Sequence, residues 1–366
     1  MRPIRVAIIG IGNCASSLVQ GIAHYREASS SAGLIRETVG GYAVGDIEIV
    51  LGVDVDRRKV GRDVAEAIFA KPNNTTQFYP DLAPLGAPVI MGRRLDGVAD
   101  HMTGLGERGF EVSDAMEATQ ASMVRALKEH QVDVLVNFLP VGSQEASEFY
   151  MECALEAHVA VVNSIPVFIA SNPEWEARFK ARGLPIVGDD IKAQIGATIV
   201  HRMLSQLFTG RGVGVDHTYQ LNTGGNTDFL NMMDRSRISS KKESKTQAVQ
   251  AALSYRLADQ DIVIGPSDYV PWQADNKVCF LRIEGEQFGG VPMNLEMRLS
   301  VEDSPNAAAC VVDAIRFCRV AMEQGKAGSL IAPSALYCKH PPQQIPEEQA
   351  EKLLDAEFGS FSCAAE

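Results

Sequence analysis

The sequence contains no uninterrupted apolar run near the roughly 20 residues that a membrane-spanning helix needs. Its N-terminal stretch, MRPIRVAIIG, also lacks the long apolar segment and cleavage site of a signal peptide. The seven cysteines include no CxxC pair, and the seven histidines show neither HxxxH nor HExxH spacing. We therefore expect a cytoplasmic protein with reduced thiols and no membrane partner, and the sequence itself identifies no metal site.

An excess of basic residues is also absent, because 34 lysines and arginines are outnumbered by 46 acidic residues and the net charge is −12. We therefore expect no nucleic-acid partner, although a local lysine cluster can still bind a phosphorylated metabolite. Hydrophobic residues make up 46% and charged residues 22%, which is the composition of a globular protein rather than a disordered one. A chain of 366 residues is long enough for two domains of ordinary size.

Short apolar runs alternate with helical patterns in the first half of the chain. The predicted strands are RVAIIGI, IEIVLGVDVD, VDVLVNFLP, VAVVNSIP and LPIVGDD. Strands that are apolar on both faces predict a parallel sheet with helices on both sides. We therefore predict a Rossmann-like, doubly wound α/β domain at residues 1–200, interrupted by a long loop or insertion, ASSSAGLIRETVGGYAVGD.

The pattern changes after residue 200. Polar alternation and glycine turns predict antiparallel strands in DHTYQLNTGGNTDFLNM, DIVIGPSDYVPW, KVCFLRIEGEQFGG and MNLEMRLSVEDS. We interpret about 201–305 as a second, α+β domain whose sheet has one face free to pack on helices or on another subunit. From NAAACVVDAIRFCRVAMEQG the chain is helical again, so about 306–366 is expected to rejoin the first domain.

The stretch GIGNCA, directly after the first strand, has the form of a dinucleotide-binding turn. Gly10 permits the tight turn, Gly12 lets the backbone approach a pyrophosphate, and the small Ala15 lets the helix pack closely on the strand. The phosphates are then expected at the helix N-terminus, near the amides of Asn13 and Cys14. The alternative is a glycine turn without a ligand.

Acidic and amide side chains follow the later strands, where ligands of such sheets collect. Asp54 is the candidate for the adenosine ribose and favours NAD over NADP; Asp56 and Asp63 compete for this role, and each is alternatively a solvated loop acid. Candidates for the nicotinamide side are Asn137, Asn163 and Asp190, with helix capping as the alternative. The amides from Ala193 to Thr198 open a helix and offer a second anion site.

Four lysines stand in unusual settings in the second half of the chain. Lys241 and Lys245 are four residues apart on one helix face, Lys277 enters an apolar strand, and Lys339 precedes two prolines. A solvated face is the ordinary interpretation of such lysines. If they converge in one cleft, their charges lower one another's pKa, which suits acid–base chemistry, and they also bind phosphate.

These segments carry a family resemblance. In order, NTGGNTDFLNM, SKKESKT, SDYVPWQADNK, VEDSPN and LYCKHPP resemble the inositol-3-phosphate synthase (myo-inositol-1-phosphate synthase) family, in its short bacterial form. The resemblance extends from Val6 to about Pro342. It implies an NAD-dependent isomerase that acts on glucose 6-phosphate and assembles as a homotetramer.

The resemblance also implies a reaction without net redox change: oxidation at C5, enolisation at C6, aldol closure onto C1 and reduction at C5. Lys241 would shuttle the C5 proton, Lys277 and Lys339 would face the enolate and aldol oxygens, and Lys245 would bind the phosphate. Asp190, Asp228 and Asp303 match acids that line the cofactor and substrate cleft. Some family members need a cation, and this sequence does not identify one.

One segment departs from the family pattern. The longer enzymes have a serine-glycine-glutamine-threonine phosphate loop, whereas KAQIGAT places Ala193 in this region and offers Gln194, Gly196 and Thr198 as phosphate contacts. Two other functions stay open from the residues: a net NAD(P)-dependent dehydrogenase of the homoserine or diaminopimelate type, and a silent NAD-binding regulator. The sequence also leaves open whether a lysine forms an imine with the sugar or acts only by proton transfer.

Overall fold

The computed structural model describes residues 2–238, 246, 249, 250, 253 and 255–359. Within this part of the chain the strands are β1 (Ile4–Ile9), β2 (Thr38–Val39), β3 (Tyr42–Ala43), β4 (Ile47–Asp54), β5 (Val89–Met91), β6 (Val134–Asn137), β7 (Ala160–Asn163), β8 (Pro185–Val187), β9 (Gly214–Gly224), β10 (Ile262–Tyr269), β11 (Asn276–Gln287), β12 (Val291–Glu302) and β13 (Gly328–Ser329).

The α-helices in the same residues are α1 (Asn13–Glu27), α2 (Val64–Ala67), α3 (Gln120–Glu129), α4 (Gln144–Ala157), α5 (Pro173–Ala181), α6 (Ala197–Gly210), α7 (Thr227–Asn231), α8 (Asp303–Glu323), α9 (Ile331–Tyr337) and α10 (Glu347–Phe358). Short 3-10 helices occur at Val44–Asp46, Asp100–Met102, Gly106–Arg108, Arg235–Ile238, Pro271–Gln273 and Phe288–Gly290. None of the described helices combines the length and apolar character needed to cross a membrane.

The main sheet has seven parallel strands in the order β13-β8-β7-β6-β1-β4-β5. From β5 to β8 this is the 3-2-1-4-5-6 order of a doubly wound nucleotide-binding sheet, so the predicted fold class is confirmed. Both β6 and β7 are buried along their whole length, as the apolar runs predicted. The order reverses between β1 and β6, and the ends of these strands define the crevice in which ligands of such folds bind.

Helix α8 returns the chain to this sheet. It packs against α1 and against β6, β7 and β8, and its apolar face joins the same hydrophobic core. The segment 28–46, interpreted as a loop or insertion, contains the β2–β3 hairpin and is tied to α8. There Arg36 is buried and pairs with Asp313, with 3.5 Å between Nη1 and Oδ2. The insertion is therefore part of the packed domain.

The second sheet has the order β10-β9-β11-β12. Strand β11 pairs antiparallel with β9 and β12, but β10 runs parallel to β9, so the prediction of four antiparallel strands is wrong for this pair. A parallel partner requires a crossover, and the chain between Gly224 and Ile262 is long enough to provide one. Part of the predicted strand is instead helix α7, capped by Asn226, whose Oδ1 accepts a hydrogen bond from Phe229 N at 3.1 Å.

Candidate active site

A cavity that is partly open to solvent lies where the strand order of the main sheet reverses. Its walls are formed by the carboxyl-terminal ends of β1 and β4, the segment after β6, the start of α8 and the start of β11. The predicted site residues on its walls are Gly10, Gly12, Asn13, Cys14, Asp54, Asp190, Ala193, Gly196, Thr198, Asp228, Lys277, Asp303 and Lys339. The cavity therefore joins the glycine turn to two of the four predicted lysines.

The two glycines of the turn have different surroundings. Gly10 has a φ of +88°, and a Cβ added there would lie 2.7 Å from the carbonyl oxygen of Phe138. Gly12 precedes α1 without a side-chain cap, and a Cβ added there would meet no atom within 4 Å. Gly10 is thus required by the fold, whereas Gly12 leaves open space at a helix N-terminus, where an anion such as a pyrophosphate fits.

The next three residues face different ways. Asn13 turns its side chain to the protein, and its Nδ2 donates to Asn74 Oδ1 at 2.8 Å. Cys14 lines the cavity, and burial raises the pKa of its thiol to about 12. Ala15 is fully buried in the core between α1 and the sheet. Its small side chain permits close helix packing rather than a ligand contact.

Asp54 closes β4 at the edge of the cavity. Its Oδ2 accepts a hydrogen bond from Ile11 N at 2.8 Å, and its Oδ1 accepts bonds from Val55 N at 2.7 Å and Asp56 N at 2.9 Å. Asp56 is fully buried outside the cavity lining. Burial alone would raise the pKa of Asp56, but hydrogen bonds from Arg58 outweigh it and lower the pKa. Asp54 is therefore the better placed of these two acids for a ribose.

Asp63, the other candidate for the ribose, caps a helix. It precedes α2, and its Oδ1 accepts a hydrogen bond from Ala65 N at 2.8 Å. The amides of Leu85 and Ala87 also donate to this carboxylate, each at 3.1 Å. Asp63 does not line the cavity. The hydrogen bonds that its carboxylate accepts come from a helix cap and a neighbouring loop, which gives an acid at this position a structural role.

Asn137 and Asn163 are fully buried and also lie outside the cavity lining. Asn137 Nδ2 donates to Asn163 Oδ1 at 3.0 Å, and Asn163 Nδ2 donates to Asp189 Oδ1 at 2.7 Å. The Asp189 carboxylate in turn accepts bonds from the amides of Ile169, Ala170 and Ser171. The side-chain amides of Asn137 and Asn163 therefore tie neighbouring strand ends together instead of facing the cavity.

The predicted phosphate segment is only partly in the cavity. Gly196 precedes α6, and Thr198 lies in its first turn on the cavity wall. Gln194 does not line the cavity, because its Nε2 donates to the carbonyl oxygen of Gly33 at 2.9 Å. The prediction of a phosphate contact from Gln194 is therefore not supported by this geometry.

Two of the four predicted lysines, Lys277 and Lys339, are described, and each is paired with an acid. Lys277 Nζ lies 3.0 Å from Asp303 Oδ1, and Lys339 Nζ donates to Asp190 Oδ1 at 2.7 Å. Burial lowers the pKa of Lys277, but the charges of Asp303 and Asp228 outweigh it and raise the pKa above its ordinary value. Among the described residues, carboxylates rather than lysines act on Lys277, so the lowering that was expected if the lysines converge is not seen there. Lys241 and Lys245 lie outside the described residues.

Sequence reasoning missed buried charged residues at this cavity, among them Asp275 and Lys59. The Asp275 carboxylate is fully buried and accepts bonds from Asn226 Nδ2 at 2.8 Å and Ser304 N at 3.0 Å. Lys59 is 2% exposed and lines the cavity, and its Nζ donates to the carbonyl oxygen of Ile11 in the glycine turn. Asp275 could have been found from the sequence, because it lies two residues before Lys277 in the segment DNK. Lys59 could not, because it follows two arginines and looks like part of a solvated basic run. Among the described residues no group of three or more His, Cys, Asp or Glu side chains could hold a metal ion.

Known proteins share this architecture and sequence. The family model described as myo-inositol-1-phosphate synthase matches residues 196–304. The chain is 50% identical over 359 residues to the inositol-3-phosphate synthase of Mycolicibacterium smegmatis, and the aligned region covers 96% of this chain and 97% of that protein. It is 48% identical over 361 residues to the inositol-3-phosphate synthase of Corynebacterium glutamicum, with 96% and 97% coverage.

A solved structure agrees with these sequence relatives. The myo-inositol-1-phosphate synthase-related protein of Thermotoga maritima superposes with a TM-score of 0.83 at 26% identity, covering 98% of each chain. Identity near one half over almost the whole chain, together with this shared fold, establishes the relationship. The chain belongs to the inositol-3-phosphate synthase family and is an enzyme of the isomerase class.

Proposed function

We propose that this enzyme converts D-glucose 6-phosphate to 1L-myo-inositol 1-phosphate (1D-myo-inositol 3-phosphate) and uses NAD without consuming it. The observation that carries the proposal is one cavity whose walls hold the open glycine turn, Asp54 and two lysine–acid pairs. An open helix N-terminus suits the pyrophosphate of a dinucleotide, and the Asp54 carboxylate disfavours a 2′-phosphate. When bound, NAD supplies the hydride acceptor for C5 and the hydride that restores it.

The ammonium groups of Lys277 and Lys339 supply positive charge where the sugar oxygens become negative. Asp303 keeps Lys277 protonated, and Asp190 together with the carbonyl oxygen of Ile191, at 2.6 Å, fixes the Lys339 ammonium. Fixed ammonium groups stabilise the oxyanions that develop during enolisation and aldol closure more than they stabilise the neutral sugar. In this proposal Lys277 and Lys339 orient these oxygens and return protons to them.

The remaining roles rest on the family resemblance. Lys241 is assigned the proton at the C5 hydroxyl and Lys245 the phosphate, and both belong to the segment outside the described residues. Gly196 and Thr198, at the start of α6, complete the phosphate site, because a helix N-terminus attracts anions.

A homotetramer is part of the same proposal. On the second sheet, the side chains of Leu221, Val263 and Phe280 are exposed although apolar, and Phe280 lies opposite Leu221 across the β9–β11 pair. An exposed apolar sheet face is typical of a surface that another subunit covers. Light scattering tests this: a monomer at micromolar concentration contradicts it.

Conversion is tested by ³¹P NMR of glucose 6-phosphate incubated with the enzyme and NAD. Lys277→Met is expected to lower kcat by about 10²- to 10³-fold, the usual loss when one oxyanion donor is removed. The control is Lys352→Met, which removes a surface lysine paired with Glu348 and is expected to leave kcat within twofold. Absence of an inositol phosphate with the wild type, or equal rates in both variants, contradicts the proposal.

A further inference from the structure

We propose that Lys59 is a positioning residue for the cofactor: its ammonium fixes the glycine turn and the Asp54 carboxylate in the geometry that receives the dinucleotide. The inference rests on the proposed use of NAD. It concerns a residue outside the four lysines and the acids that the sequence pointed to, and it assigns this residue a role in binding rather than in the chemical steps.

Ile11, the residue between the two glycines, is held from both sides. Its N–H donates to Asp54 Oδ2 at 2.8 Å. Its carbonyl oxygen accepts a bond from Lys59 Nζ at 2.7 Å and another from Asn73 Nδ2 at 3.1 Å. Since both backbone groups of Ile11 are bound, the peptide planes on either side of it cannot rotate freely. These planes set the direction of the turn toward the open space at Gly12.

The ammonium also joins the turn to the ribose acid. Lys59 Nζ donates to Asn73 Oδ1 at 3.0 Å and lies 3.8 Å from Asp54 Oδ2. An ammonium has three donors, so two are used by Ile11 and Asn73 and the third remains for the side of Asp54. Lys59 therefore fixes the distance between the turn that faces the phosphates and the carboxylate that faces the ribose.

Burial argues that this charge has a function beyond packing. Lys59 is 2% exposed, and burial lowers the pKa of its ammonium against the opposing charges of Asp54 and Asp56. The Ile11 carbonyl already has a donor in Asn73, so the fold does not need a cation to satisfy it. A buried ammonium is costly unless it is paired. Here the Lys59 ammonium places positive charge on the cavity wall beside the glycine turn, where the pyrophosphate is expected.

The same cavity offers a matched control. Lys192 is 1% exposed, lines the cavity, and donates to a backbone carbonyl, Ala335 O at 2.8 Å, and to a carboxylate, Glu347 Oε1 at 3.1 Å. Burial lowers its pKa as well. Removing either lysine therefore removes a buried, doubly bonded ammonium, but only Lys59 contacts the glycine turn.

The test is the Kd of ADP-ribose, which has the adenosine and the pyrophosphate of NAD but no nicotinamide, measured by calorimetry. A hydrogen bond to a charged group contributes about 1.5–3 kcal/mol, so Lys59→Met is expected to raise this Kd at least tenfold. Lys192→Met is expected to leave it within twofold. In turnover assays, Lys59→Met should raise the KM for NAD by a similar factor while kcat at saturating NAD stays within threefold.

A Kd for Lys59→Met within twofold of the wild type, or an equal loss in Lys192→Met, overturns the inference. If the methionine variant does not fold, Lys59→Gln keeps an N–H donor without the charge, and a loss of at least fivefold is expected; a loss below twofold overturns the inference. Failure of the proposed function is distinguishable, because then the wild type itself binds no NAD or forms no inositol phosphate.

Discussion

Replacement of Asp275 by asparagine gives a prediction whose size follows from the structure. Asp275 Oδ1 accepts bonds from Asn226 Nδ2 at 2.8 Å, Ser304 Oγ at 2.9 Å and Asn13 Nδ2 at 3.2 Å, and its Oδ2 accepts one from Ser304 N at 3.0 Å. These bonds join the starts of α1, α7 and α8. An asparagine has one acceptor oxygen, so at least one of these donors loses its partner. The expected cost at pH 8 is about 2 kcal/mol of unfolding free energy.

The cost should also depend on pH. Burial and the nearby Asp303 raise the pKa of Asp275 to about 6, from an ordinary value of 3.8. The native state therefore holds a proton that the unfolded state releases, and this stabilisation is present at low pH and lost as pH rises through about 6. At pH 5 it contributes about 1 kcal/mol and at pH 8 almost nothing. The neighbouring Cys14 thiol stays neutral over this range, because burial raises its pKa to about 12.

The assay is thermal unfolding of wild type and Asp275→Asn at pH 5 and pH 8. The difference in Tm between the two proteins should be about 2 °C larger at pH 5, since 1 kcal/mol corresponds to roughly that shift in a chain of this size. Asp259→Asn, which changes a highly exposed carboxylate of the same half of the chain, is the control and should show no such dependence. A difference in Tm that is equal at both pH values, or larger at pH 8, refutes the assignment of a raised pKa to Asp275.

Three further predictions concern the cavity. Asp303→Asn should move the alkaline limb of the kcat–pH profile to lower pH, because burial then lowers the pKa of Lys277 without the opposing charge of Asp303. The control Glu302→Gln, at the neighbouring residue, should leave the limb in place. An unchanged limb in Asp303→Asn contradicts the pairing of Lys277 with Asp303. Gly10→Ala should lower the Tm by several degrees through backbone strain and a clash with Phe138, whereas Gly12→Ala should keep the Tm and weaken NAD binding at least tenfold. The reverse order of the two Tm effects would contradict the geometry of the turn. Asp63→Ala should cost about 1 kcal/mol of stability as a lost helix cap while the Kd for NAD stays within twofold, and a tenfold weaker Kd would return Asp63 to the cofactor site.

Local sequence order predicted the parts of the site that depend on local structure. The first strand, the glycine turn and Asp54 at the end of β4 follow from apolar runs and turn residues, and the structure places them together. The sequence could not separate Asp63 from Asp54, because a short acid after a strand looks the same whether it faces a cavity or caps a helix. Strand β5 was missed because three residues are too few to give a periodic signal.

Long-range contacts explain the remaining differences. The partner of Lys59 at Ile11 is 48 residues away, and Asp275 bonds to Asn13 across 262 residues, so no local pattern distinguishes these charges from solvated ones. The parallel pairing of β9 with β10 has the same origin, because hairpin spacing says nothing about a strand that returns after a crossover. The raised pKa of Lys277 likewise depends on Asp303, which directly follows β12 and comes near Lys277 only after β11 and β12 have paired.

In the proposed reaction the hydride removed from the sugar returns to the sugar. The most direct test of this return is an incubation of the enzyme with excess glucose 6-phosphate and NAD at a tenth of the substrate concentration, with no other hydride acceptor present. If the hydride returns, inositol phosphate exceeds the NAD supplied several-fold while free NADH, followed by its absorbance, stays below the enzyme concentration. Free NADH that accumulates in step with the product would contradict it and indicate a net dehydrogenase.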